Sequence, residues 1–488
     1  MRVNLRRNLA CVEPPVNNRG PMRFVPAFLG LLALHSAASL SAQSAPPLGT
    51  RETGLRRIFT EALAHGQACS NLRTLLTNHP GRLAGSTALA EAERWGEQTL
   101  NGLGLDRVWR QDVMVPHWER GAPESVRLLP PAGVTGETVA LAAVALGGSI
   151  ATPPAGLTAT VIEVKSLDDL ASLGREKITG TIVFFNRPMD PAEPEPGVAY
   201  GKAVDQRSRG PRAAAMLGAV AALVRSMTQT LDDVPHTGNT AYRAEGENIP
   251  AAALSTLAAD RLSAALAANP ALQVEMKIHS RWHPEALAHN IIGEIRGSES
   301  PDEIIVVGGH LDSWDITPGA HDNGSGIVQS IEVLRIYRAL GYQPRHTIRC
   351  VLFTNEENGL RGGTAYAAYA RASGEKHLLA VESDEGGFTP RGFTFGSAQG
   401  PVHRRAQRWL PLFEPYGILA FTRGAGGADV GPLMALGVTV GNLIPDGQRY
   451  FDHHHTVTDS FDKVHPRELA LGAGALAALI WLVDQEGL

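Results

Sequence analysis

Five stretches of this sequence carry side chains able to hold a metal ion or move a proton. Residues 304–307 are apolar and run into Gly308-Gly309-His310-Leu311-Asp312, and ten residues beyond Asp312 stands Asp322, within His321-Asp322-Asn323-Gly324-Ser325-Gly326. The apolar run 350–353 is followed by Thr354-Asn355-Glu356-Glu357, and the run 378–381 by Glu382-Ser383-Asp384-Glu385-Gly386-Gly387. Late in the chain comes Tyr450-Phe451-Asp452-His453-His454-His455-Thr456-Val457-Thr458-Asp459-Ser460. Imidazole nitrogen and carboxylate oxygen are zinc donors, and a carboxylate that stays free of metal can act as a general base. Taken singly each stretch is weak: a His-x-Asp pair is easily satisfied at a surface, and a Glu-Glu dipeptide is commonly a solvated turn. The weight lies in their repetition after three successive apolar runs. Ligands of open α/β sheets bind beyond the carboxyl ends of the strands, so these side chains are expected to converge on one rim.

The elements that must position them are legible as periodicity. Apolar runs at 304–307, 348–353 and 378–381 alternate with helical stretches at 326–340 and 360–371, which argues for a mostly parallel sheet with covering helices. The runs are continuously apolar, as expected of strands covered on both faces, and Ile327, Ile331 and Leu334 form the inward stripe of one covering helix. Residues 53–108 read as a helix pair, with Ile58, Leu63, Leu89, Trp95 and Leu100 on helix faces and Asn78-His79-Pro80-Gly81 as the turn. Between 120 and 285 the character changes to short β-like runs (159–164, 181–185) and an Ala-rich helix over 213–224, a pattern that predicts a separate small α/β domain. Residues 471–483 are apolar all round but number 13, fewer than the roughly 20 a helix needs to span a bilayer. A buried helix opened by Pro466 is expected there.

The chain has 488 residues, 44 Lys plus Arg against 49 Asp plus Glu, and a formal net charge of −5, which excludes a polyelectrolyte-driven nucleic-acid binder. With 43% hydrophobic residues, extensive disorder is excluded as well. The length exceeds the roughly 250 to 300 residues that one core supports, so at least two domains are required. Residues 24–42 are apolar, preceded by Arg23 and followed by Gln43-Ser44-Ala45, which reads as a cleavable secretory signal and predicts no stable membrane insertion afterwards. Met22 offers a second start. Cys11 would leave with that leader; Cys69 and Cys350 alone imply no disulfide framework, and neither suggests a nucleophile.

The ordered set His-x-Asp, Asp-Asn-Gly, Glu-Glu-x-Gly-Leu-x-Gly, Glu-Ser-Asp and His-His-Thr-x-x-Asp-Ser resembles the co-catalytic dizinc exopeptidases, from about Leu55 to the end of the chain. The match is densest with a secreted carboxypeptidase/dipeptidase branch, at Gly308-Gly309-His310-Leu311-Asp312-Ser313-Trp314-Asp315, Val224-Arg225-Ser226 and Pro235-His236-Thr237-Gly238. Asn323, where a second Asp is frequent, and Ser460, where Thr is usual, depart from the pattern without removing a ligand. The resemblance implies an α/β fold: a leader over 1–44, a catalytic domain over 45–119 and 286–488, and a protease-associated-like domain inserted at 120–285. It further implies two Zn2+ per chain, one held by His310, Asp322 and Asp384, the other by Asp322, Glu357 and His455, with Asp322 bridging. His455 is chosen by its spacing to Asp459, with His454 as runner-up. Glu356 is implied as general base for the hydroxide held between the metals, and Asp312 as the partner that orients the His310 ring. Short peptides with free ends are the implied substrates, outside the cytoplasm, with a homodimer suggested by the family.

Other readings stay open at this point. A broad aminopeptidase would use the same metals; a glutaminyl cyclase would keep one zinc; a receptor-like ectodomain would have lost ligands. The glycine-rich loop Arg423-Gly424-Ala425-Gly426-Gly427-Ala428-Asp429 reads equally as a surface turn or as a wall that offers Asp429 to a substrate α-amine, and His236-Thr237-Gly238 is assigned no chemistry.

Overall fold

Two eight-stranded sheets organise the computed structural model, which describes residues 48–130, 136–241 and 248–488; the leader lies outside the described residues. In the first sheet the strands run, in spatial order, Arg107–Glu119, Arg281–Ile295, His346–Phe353, Ser300–His310, Lys376–Glu382, Thr439–Pro445, Pro390–Gly396 and Ala420–Arg423. The four from His346–Phe353 to Thr439–Pro445 are mutually parallel, as the alternating pattern predicts. Outside this centre the sheet is mixed, because Arg107–Glu119, Arg281–Ile295 and His346–Phe353 pair antiparallel, as do Pro390–Gly396 and Thr439–Pro445.

Period-two alternation in the central strands supplies two cores at once. Ile305 and Val307 join Ile327, Ile331 and Leu334 of the helix Ser325–Ala339, whereas Ile304 and Val306 face Tyr366, Ala367 and Ala370 of the helix Arg361–Ser373. Pro466 opens the C-terminal helix Pro466–Glu486, as expected. At 21 residues that helix is long and apolar enough to cross a membrane, but 72% of its apolar window is buried within the fold. It packs on Arg51–His65 and Ser325–Ala339, and its Ala477 carbonyl accepts a hydrogen bond from the Tyr337 hydroxyl at 2.7 Å.

The second sheet falls wholly between Arg107–Glu119 and Arg281–Ile295 in sequence. Its parallel centre is Leu157–Val164, Ile182–Phe185, Ala221–Arg225 and Ala251–Leu254. It has cores of its own on both faces, with Ile182 and Phe184 on one and Val183 and Phe185 on the other. The two sheets meet at Arg120, whose guanidinium clasps both carboxylate oxygens of Asp315 at 2.6 and 2.7 Å and donates to the Ala145 carbonyl at 2.5 Å.

Local expectations fail at two places. The N-terminal helical region is three helices, Arg51–His65, Ala68–Asn78 and Thr87–Gly102, broken at Gly66-Gln67, and residues 107 and 108 already belong to a strand. The Ala-rich helix stops at Met216, and Ala221–Arg225 is a strand. Gly218 takes φ 86° between them, a conformation that ends the helix, and alanine fits a strand buried on both faces as readily as a helix.

Candidate metal centre

The predicted ligands and Glu356 sit at strand ends or in the turns beyond them, where the backbone can turn toward the rim. His310 closes the strand Ser300–His310; Glu356 and Glu357 follow His346–Phe353; Asp384 follows Lys376–Glu382. Asp322 lies in the turn Ala320–Gly324 that leads into Ser325–Ala339, and His455 follows the short helix Tyr450–His453 with a φ of 63°.

The structure brings all five together. Asp322 presents its two oxygens in different directions: Oδ1 is 3.3 Å from His310 Nε2, which is also 3.0 Å from Asp384 Oδ1. Oδ2 is 3.2 Å from His455 Nε2, which in turn is 3.1 Å from Glu357 Oε2. Two groups of donors thus share one carboxylate. His454, the runner-up, stands farther off, its Nε2 3.7 Å from Asp322 Oδ2, and stacks its ring on His455 at 3.5 Å between centroids. It forms a possible donor group with Asp322 and His455, but only His455 also approaches Glu357.

The electrostatics are those of a crowded anionic site. Burial, reinforced by Asp384, Glu357 and Asp312, raises the Glu356 carboxyl well above the usual range. Burial and the facing Asp322 push Glu357 up to about 7. Burial disfavours a charged His455, yet Glu357 and Asp322 outweigh it and lift the imidazole to about 10. Glu357 Oε1 and His454 Nδ1 are buried without a hydrogen-bond partner. Buried carboxylates without enough cations to pair with, together with an orphaned oxygen and imidazoles aimed at one point, fit divalent cations held by nitrogen and oxygen donors.

Supporting residues fix this geometry, several of them invisible in the sequence. The His310 Nδ1 hydrogen bond runs to the main-chain oxygen of Asp312 at 3.0 Å, with the Asp312 carboxylate 3.7 Å away, so Asp312 meets the ring through its backbone and not its side chain. That carboxylate instead accepts the backbone N–H groups of Glu356 at 3.0 Å and Glu357 at 3.2 Å, setting the loop that carries both. Asp459, read only as a spacing mark, accepts the N–H groups of His321 at 2.7 Å and Asp322 at 3.0 Å. Arg82, fully buried, donates to the carbonyls of His79, Leu311, Pro318 and Gly319 and so ties the loops around His310 and Asp322 together. No periodicity could have revealed it; only its place just after the Asn78-His79-Pro80-Gly81 turn hints at a fixed loop.

Two further expectations change. Asp429 is fully buried, so it is no part of a plain surface turn; its backbone N–H donates to the Glu382 carboxylate at 3.0 Å, and it is not among the residues that line the pocket. The segment His236-Thr237-Gly238 holds the histidine run: the Thr237 oxygen meets His455 Nδ1 at 3.2 Å, and His236 Nδ1 meets the His454 oxygen at 2.8 Å. The resulting pocket, of about 180 Å³, has the ligand rim on one side and Tyr200, Arg207 and Asn239 from the second sheet's segment on the other.

Comparison with known proteins agrees with this architecture. Residues 290–480 match the model of peptidase family M28. Carboxypeptidase Q of Bos taurus is 33% identical over 86% of each chain. A crystal structure of a peptidase M28 precursor from Shewanella amazonensis superimposes with a TM-score of 0.84 at 35% identity, covering 89% of this chain and 96% of that one. The zinc aminopeptidase of Bacillus subtilis, at 21% identity and a TM-score of 0.62 over 85% of this chain and 94% of its own, shares the fold.

Proposed function

The chain belongs to peptidase family M28 with carboxypeptidase Q among its relatives, and from that premise we propose that this metallopeptidase is a secreted dizinc exopeptidase of dipeptides and short peptides. The observation that carries the two-metal reading is Asp322, whose oxygens serve separate donor groups, His310 with Asp384 and His455 with Glu357. A shared anionic carboxylate would lower the mutual repulsion of two cations held by these two groups.

When bound, zinc supplies Lewis acidity that lowers the pKa of a water towards about 7 and polarises the scissile carbonyl. Glu356, half-buried beside the ligands and lining the same pocket, takes the proton of the attacking water and delivers it to the leaving amine. Asp312 acts one step removed, holding the backbone of Glu356 and Glu357, while its own main-chain oxygen fixes the His310 ring. The main-chain oxygen of Thr237 does the same for His455 from a loop of the second sheet's segment. Residues 120–285 are assigned to an inserted protease-associated-like domain that walls the pocket, and the leader over 1–44 to export.

Zinc content and hydrolysis of a panel of dipeptides, with and without chelator, test this reading. Two zinc ions per chain and activity abolished by chelation are expected; a metal-free protein whose activity ignores chelator defeats it.

A further inference from the structure

The pocket is electrically lopsided. Four carboxylates line it, those of Asp322, Glu356, Glu357 and Asp384, and among its described lining residues Arg207 is the one Lys or Arg. Arg207 comes from the short helix Asp205–Ser208 in the second sheet's segment and is only 6% exposed. A guanidinium so buried is ordinarily paired with a carboxylate. Arg120 pairs in this way with Asp315, Arg225 with Asp260 and Arg349 with Glu294, while Arg82, the buried arginine without a carboxylate, spends its donors on four main-chain carbonyls.

Arg207 has no such partner among the described residues. It donates to the Tyr200 hydroxyl at 2.7 Å and more weakly to the Thr237 carbonyl at 3.4 Å, and its Nε is buried with no partner at all. Its orientation is nevertheless fixed. The guanidinium lies 5.5 Å from the centre of the Tyr200 ring, and Gly238 makes room for it, since a Cβ there would lie 2.4 Å from Cζ. An oriented, partly unspent cation at the edge of a pocket whose own carboxylates are assigned to metal or, for Glu356, to proton transfer is built for an anion brought from outside.

We infer that Arg207 receives the free α-carboxylate of the substrate, so that the enzyme recognises the carboxyl end of a dipeptide or short peptide. The planar fork of Arg suits a carboxylate, whereas an α-ammonium at the same place would meet like charge. The candidate for binding an amine, Asp429, is fully buried and is not among the residues that line the pocket. This inference rests on the peptidase reading and adds the end of the substrate that is read.

The test compares one dipeptide as free acid and as C-terminal amide, using the zinc-loaded full chain, Arg207→Met and Arg207→Lys. The wild type is expected to favour the free acid by about 100-fold in kcat/KM, and Arg207→Met to bring that ratio close to one, chiefly through KM on the free acid. Arg207→Lys, which keeps the charge but not the fork, should hold an intermediate ratio. Zinc content, measured alongside, reports any damage transmitted through Thr237 to His455. A wild type that cleaves acid and amide equally, or an Arg207→Met variant that slows both and leaves the ratio intact, overturns the anchor while leaving the peptidase reading in place. No hydrolysis of any peptide by zinc-loaded wild type overturns both.

Discussion

His455 Nδ1 lies 3.2 Å from the main-chain oxygen of Thr237, a residue 218 positions earlier in the chain and part of the segment that builds the second sheet. The Thr237 N–H returns the contact to the His455 oxygen at 3.1 Å. The ring nitrogen turned away from Glu357 and Asp322 is therefore fixed by the inserted segment, which leaves Nε2 facing the two carboxylates. The second sheet thus completes the site as well as walling it.

Replacing Glu356 by Gln removes the base while keeping the side chain's shape. We expect kcat to fall by about 10²- to 10⁴-fold with zinc content unchanged. Metal analysis beside steady-state kinetics checks this, and near-normal turnover would rule Glu356 out as the base.

Asp322→Ala takes one donor from both groups at once. Zinc should be lost, and the rise in Tm that added zinc gives the wild type should shrink or vanish. Full occupancy of two sites in this variant is incompatible with a bridging Asp322.

Asp312→Asn leaves one acceptor oxygen where two backbone N–H groups are now held. Zinc affinity or activity should fall by about 10- to 100-fold, the usual scale for partners of metal ligands. The His310 contact, made by the main chain, should survive; titration with a zinc indicator measures the loss.

Stability should weaken in mild acid through a residue remote from the ligands. Burial, aided by the nearby Arg349, lowers His377 to about 4. Because the folded state resists protonation, the unfolded chain takes up a proton first as pH falls below about 6.5, so stability present above that value drains away down to about 4. The loss amounts to at most about 3 kcal/mol. Urea midpoints of wild type and His377→Gln at pH 8 and pH 5 measure it; the variant should lose less on acidification, and parallel shifts of both proteins would remove His377 as the cause.

Much of this was legible along the chain because it is local. The central strands, the stripe of Ile327, Ile331 and Leu334, Pro466 at its helix start, and the placement of His310 at a strand end and of Glu357 and Asp384 just past strand ends all follow from periodicity and punctuation within a few residues. Alanine-rich text defeated that reading at 213–224, since alanine carries too little side chain to distinguish a helix from a buried strand.

The sequence by itself determined which residue types stand at the rim and in what order, because strand ends in a parallel sheet must meet at one edge. Only the tertiary structure decided how they are used: that the two oxygens of Asp322 part company, that Asp312 steadies His310 through its backbone, that Asp429 is buried, and that Arg207 reaches the pocket and Thr237 reaches His455 from the segment that builds the second sheet. The physical reason is range. Propensity and periodicity act over one or two turns, while the direction of a side chain and the partner of a buried polar atom are set by packing between segments hundreds of residues apart.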